Sequence, residues 1–132
     1  AKQGRRWRII NPGSVGLPLN GDVQAQFAIL DSISPEIEFG GWKSTHMRVP
    51  YDRRPALEAY ETSGMLAAGG VISTLFYWEI VTAEREIPFF FQWARENYPA
   101  PQTSMREAFT AYIAAMGRDQ YVRKRDLLFN GG

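Results

Sequence analysis

The spacing of apolar residues along this chain changes near Pro50, from short runs of period two to stripes of period between three and four. Trp7-Arg8-Ile9-Ile10 predicts a short strand that stops at Asn11-Pro12-Gly13-Ser14, where proline fixes one dihedral and glycine permits positive φ. Leu17 to Asp22 is a second turn cluster, and its Asn20-Gly21 pair is a hairpin signal. Gln24 to Asp31 alternates polar and apolar as far as Ala28 and is apolar afterwards, as a paired strand would be. Ile33 to Gly40 alternates Ile37 and Phe39 with Glu36 and Glu38, and Trp42 to Val49 completes a predicted antiparallel set of about four strands.

Helical signals follow. Asp52 is placed to cap a helix that tolerates Pro55 in its first turn, carries Leu57 and Tyr60, and ends at Gly64. Met65 to Val81 reads as a buried helix, although its β-branched and aromatic residues also suit a strand. Glu84 to Tyr98 opens on two acids and Pro88 and puts Ile87, Phe90, Phe91, Ala94 and Tyr98 on one face. Ser104 and Glu107 form a capping box ahead of the stripe Met105, Phe109, Tyr112, Ile113 and Met116, with Gly117 at the stop. Asp119 is expected to cap a last helix to about Phe129. The expectation is an α+β chain: antiparallel strands over residues 1–49, then a helical segment over residues 50–132.

At 132 residues and 45% hydrophobic content, the chain has material for one core and too little length for two ordinary domains. A net charge of +1 argues against nucleic acid as a partner and against an acidic disordered tail. With no cysteine, disulfides, thiol nucleophiles and cysteine-bound metals are excluded, and a cytoplasmic location is mildly favoured. No stretch reaches the roughly 20 apolar residues of a membrane-spanning helix. The start, Ala1-Lys2-Gln3-Gly4-Arg5-Arg6, reads as an interior cut or a processed end.

Candidate chemistry is sparse. His46 is the single histidine, and no carboxylate at strand or helix spacing orients it, so an exposed or hydrogen-bonded strand histidine is expected. Ser14 and Ser63 lack a partner histidine and a G-x-S-x-G string. The pairs Glu36/Glu38 and Glu84/Glu86 read as a solvated strand face and a favourable helix start rather than as acid–base dyads. The basic runs Arg5-Arg6-Arg8 and Arg123-Lys124-Arg125 read as solvated faces, not as a groove-reading helix pair around Gly117. Phe76-Tyr77-Trp78, Phe89-Phe90-Phe91 and Trp93 read as core or subunit interface. The loop Asn11 to Gly16 has the glycine content of an anion-binding nest, with Asn11, Gly13 and Ser14 as its candidate substrate-proximal residues, or of a plain structural turn.

The run Ile9 to Asp22, with Asn11-Pro12-Gly13-Ser14-Val15-Gly16 as its most specific string, is followed by a strand ending Phe27-Ala28-Ile29-Leu30-Asp31. This resembles the C-terminal part of calcineurin-like metallophosphoesterases, and Val49-Pro50-Tyr51-Asp52 matches a later edge of the same family. The resemblance covers about residues 7 to 60, and the helical half matches in general character only. It implies that residues 1–49 belong to the second sheet of an α/β/β/α sandwich. The implied parent function is hydrolysis of a phosphate mono- or diester by two divalent metal ions of the Mn, Fe, Zn or Ni class.

The family's ligand motifs, Asp-x-His, Gly-Asp, Gly-Asn-His and Gly-His-x-His, do not occur here, and Leu19 stands where related sequences often carry a basic residue. A pair of metals about 3.5–4 Å apart needs several imidazole and carboxylate ligands, which one histidine does not supply. The chain is therefore expected to be a C-terminal segment, inactive alone, with no catalytic or metal-binding residues of its own. The alternative is a non-enzymatic interaction or oligomerisation module. In either case a sheet cut from its sandwich, or the aromatic-rich helices, would favour a homo-oligomer.

Overall fold

A computed structural model describes residues 9–34, 41–98 and 104–130. Two antiparallel strands, β1 (Ala25–Ser32) and β2 (Trp42–Val49), precede seven helices among these residues: α1 (Arg54–Thr62), α2 (Met65–Ala68), α3 (Gly70–Thr82), α4 (Glu86–Asn97), α5 (Met105–Met116), α6 (Arg118–Arg123) and α7 (Leu127–Asn130). The α+β class, strands first and helices after, is as the sequence predicts.

The strands pair in register from Ala25 opposite Val49 to Ser32 opposite Trp42. Of the four predicted strands, two form among the described residues. Ile9 and Ile10 lie in irregular chain, and Ile9 is 76% exposed, while Trp7 and Arg8 of the same predicted strand lie outside the described residues. The predicted strand over Ile33 to Gly40 lies largely outside the described residues. Asn20-Gly21 does not close a two-residue hairpin. The Asn20 amide pairs with Gln26, and the Gly21 N–H donates to the Ala83 carbonyl at 2.8 Å, so both turn residues are drawn into longer-range contacts.

Helix α3 is the hub. It is apolar on nearly every side, as a buried helix must be, and it packs against α1, α2, α4, α5 and α6. Leu57 of α1, Leu75, Trp78 and Val81 of α3, Phe90 of α4, Ala108 and Tyr112 of α5 and Val122 of α6 share one core. Phe90 is 1% exposed and meets the rings of Phe109 and Tyr112 edge-on, each at 5.5 Å; truncating it to alanine should cost about 3–5 kcal/mol.

Local signals explain most helix ends. Glu107 and Ser104 form the reciprocal capping box of α5, and Gly117 stops that helix at φ 59°. Asp52 accepts the Arg54 N–H at 3.1 Å, although Arg53 occupies the cap position of α1. Three boundaries differ from expectation. The segment 65–81 is two helices, because Gly70 takes left-handed backbone at φ 58° and interrupts the helical run. The last helix is also two, since Asp126 caps a new turn by accepting the Leu128 N–H at 2.9 Å. Asp119 sits inside the first turn of α6, and Gly117 holds the cap position there without a side-chain bond.

Candidate functional site

The Asn11–Gly16 loop folds across one face of the hairpin. Residues directly opposite in a ladder share a face, so Gln26 stands beside Arg48 and Ala28 beside His46 on the side the loop covers. Two side chains lock the loop. The Asn11 Oδ1 accepts the Gly13 N–H at 3.0 Å, and the Ser14 Oγ accepts the Leu17 N–H at 2.9 Å. Gly13 takes φ 94°, and a Cβ there would fall 2.4 Å from the Gln26 Oε1, so glycine is required by both conformation and space.

Buried Gln26 is the floor. Its amide exchanges hydrogen bonds with the Asn20 amide at 3.0 and 3.1 Å, and its backbone N–H donates to the Ser14 carbonyl at 2.9 Å. His46 is exposed on β2, and its Nε2 lies 3.1 Å from the Asn11 carbonyl. A carbonyl only accepts, so the Nε2 is the donor of this contact. Arg48 holds Asp22 through its Nε at 3.2 Å.

These parts enclose a cleft of about 320 Å³ bordered by Asn11, Gly13, Gln26, His46 and Arg48. Asn11 and Gly13 thus border it and Ser14 does not; the Ser14 hydroxyl oxygen is turned into the loop's own bond. The Gly13 N–H is likewise spent on Asn11. What the cleft still presents is the Asn11 amide NH₂ and the terminal nitrogens of Arg48, which together suit an anionic oxygen. Sequence reasoning missed Gln26 and Arg48. The only signal was a glutamine on a strand face whose neighbours, Ala28 and Leu30, are apolar.

As a metal site the cleft does not fit. Its one imidazole has Nε2 on a carbonyl, its nearest carboxylate, Asp22, is engaged by Arg48, and no group of three His, Cys, Asp or Glu converges among the described residues.

The remaining candidates are dispersed. Glu36 and Glu38 and the Arg5-Arg6-Arg8 run lie outside the described residues. Tyr77 and Trp78 are core residues while Phe76, Phe89 and Phe91 are partly exposed. Arg123, Lys124 and Arg125 are exposed, Arg125 lying 3.6 Å over the Tyr121 ring.

Glu84 and Glu86 are the clearest correction. They are not a solvated helix start: Glu86 is completely buried, accepting from the Arg118 Nε at 2.9 Å, the Arg118 Nη2 at 2.7 Å and the Thr82 hydroxyl at 2.9 Å. Arg118 also pairs with Glu84, which accepts the Tyr121 hydroxyl as well. Burial pushes the Glu84 carboxyl up, but Tyr121 and Arg118 outweigh it and hold the group below its ordinary range. Buried Glu79, whose Oε1 accepts the Ile87 N–H at 3.1 Å, is raised by burial. The side chains of Thr82, Glu84, Glu86, Arg118 and Tyr121 satisfy one another, which is the mark of a clamp between α3, α4 and α6 rather than of an acid–base dyad.

No family model, curated protein or solved structure matches this chain.

Proposed function

We propose that this chain is the C-terminal segment of a metal-dependent phosphoesterase, acting on phosphate mono- or diesters, with the Asn11–Gly16 loop at the rim of the parent active site. The observation that carries the reading is the double lock of that loop by Asn11 and Ser14 beside a cleft lined with hydrogen-bond donors. A loop so fixed offers an anionic ester a preorganised edge, and the Gly21 N–H bond to Ala83 ties it to the helical half. The two divalent ions belong to ligand motifs outside these 132 residues, so the segment alone is inactive.

The test is metal content by plasma mass spectrometry alongside p-nitrophenyl phosphate and bis-p-nitrophenyl phosphate assays, with and without added Mn²⁺. No stoichiometric metal and no turnover agree with the reading; tight metal with turnover contradicts it.

No helix among the described residues is long and apolar enough to cross a membrane. A cytoplasmic location accords with the absence of cysteine. One observation favours a second reading, the oligomerisation module. The hairpin face away from the loop carries Phe27, Ile29, Met47 and Val49, each 37–45% exposed. A two-stranded sheet with a partly exposed apolar face is suited to pairing with a second copy. Light scattering checks this: mass rising with concentration supports a homo-oligomer, and a constant monomer mass contradicts it.

A further inference from the structure

The helical half contains a cavity of about 420 Å³ that neither reading uses. Its walls come from the end of α1, from α2, α3, α6 and α7, and its apolar lining is Leu66, Tyr77, Trp78, Val122 and Phe129. Three carboxylates, Glu61, Asp119 and Asp126, border the same space against one guanidinium, Arg123. The chain as a whole is slightly positive, so this concentration of negative charge is local.

The charged groups are not equivalent. Asp126 is 2% exposed and structurally committed, accepting the Tyr77 hydroxyl at 2.7 Å and the Leu128 N–H at 2.9 Å. Arg123 lies over the Phe129 ring, 4.9 Å from its centre, and makes no ion pair among the described residues. The carboxylates of Glu61 and Asp119 have no hydrogen bond or ion pair there either. Two unpaired anions thus stand at the border of an aromatic cavity large enough for a small organic molecule.

We infer that this cavity binds an amphipathic organic cation, a primary amine on an aromatic or alkyl body. The body would rest against Tyr77 and Trp78, and the ammonium would meet Glu61 and Asp119. The charge balance decides the class: three carboxylates border the space against the single Arg123 guanidinium, so an ammonium meets an excess of opposite charge, an anion of the same shape an excess of like charge, and a neutral ligand gains nothing from either.

Phenethylamine tests the inference, with phenylacetate as the probe of similar shape and opposite charge. In ¹H–¹⁵N NMR titrations of the whole chain, phenethylamine should shift the Trp78 indole and the amides of Asp119 and Val122 saturably. Phenylacetate should bind at least about tenfold more weakly. Glu61→Gln and Asp119→Asn, both outside the core, should each weaken the amine at least about threefold while leaving the spectrum folded. Equal binding of amine and acid, no saturable shift, or an unchanged amine affinity in the double variant would overturn the proposal. None of these outcomes bears on phosphoesterase chemistry, which concerns the cleft at the Asn11–Gly16 loop and shares no lining residue with this cavity.

Discussion

Replacing Arg118 by methionine removes the cation from the clamp and leaves Glu86 in place. Glu86 is fully buried and would keep a single donor, the Thr82 hydroxyl, of the three it now has. The Arg118 side chain is 17% exposed, so solvent screens the pair little. Breaking a buried pair by removing one partner costs about 3–5 kcal/mol, because the remaining charge is stranded in low dielectric. The Arg118 guanidinium also covers the Tyr121 ring at 4.1 Å, which adds about 0.5–1 kcal/mol. The double variant Glu86→Met, Arg118→Met removes both charges and should recover most of the loss, leaving a deficit of about 1–2 kcal/mol. Urea unfolding followed by circular dichroism, with the slope checked for constancy, gives both numbers. The reasoning is refuted if Arg118→Met costs under about 1 kcal/mol, or if the double variant is as unstable as the two single losses added.

Three further outcomes follow from the same geometry. Burial raises the Glu79 carboxyl above its unfolded value, so wild-type stability is favoured below the unfolded pKa and is lost as pH rises through the folded one. Glu79→Gln should therefore gain on wild type between pH 4 and pH 8, by about 1.4 kcal/mol for each unit that burial displaces the group; equal urea midpoint differences at the two pH values would contradict this. Ser104→Ala removes the capping box of α5 and should cost about 0.5–2 kcal/mol in thermal unfolding, with a loss outside that range counting against the assigned cap. Gly13→Ala forces a side chain into left-handed backbone and onto Gln26, and should cost about 1–3 kcal/mol and shift the His46 ring resonances; an unperturbed ring would mean that the loop does not depend on this turn.

Elements whose signals are local could be read from the residues alone. The capping box at Ser104 and Glu107 and the stop at Gly117 appear where the spacing puts them, and β1 and β2 fall within a residue of the alternating runs. The misreadings involve partners distant in sequence. Glu86 resembles a solvated acid at a helix start until Arg118, 32 residues away, is brought beside it by the packing of α6. Arg53 drew no reading from its neighbours in sequence, and it is 8% exposed, donating to the Val81 carbonyl at 3.0 Å and to that of Ile80, satisfying the end of α3. Asn20-Gly21 has hairpin chemistry, but Gln26 and Ala83 claim its polar groups. At the cleft, the Asn11–Gly16 turn could be anticipated from its proline and glycines, whereas the Gln26 floor and the Arg48 contribution required the register of β1 on β2. Periodicity reports which residues share a face of one element; it carries no information on which faces meet.

Reading the coding sequence upstream of the Ala1 codon in the source DNA bears on the phosphoesterase segment itself. An open frame encoding a Gly-His-x-His string shortly before the Asn11–Gly16 loop, with Asp-x-His and Gly-Asn-His strings further upstream, is the predicted result. An in-frame upstream region without those strings, or a stop codon followed by a native start near Ala1, would contradict it.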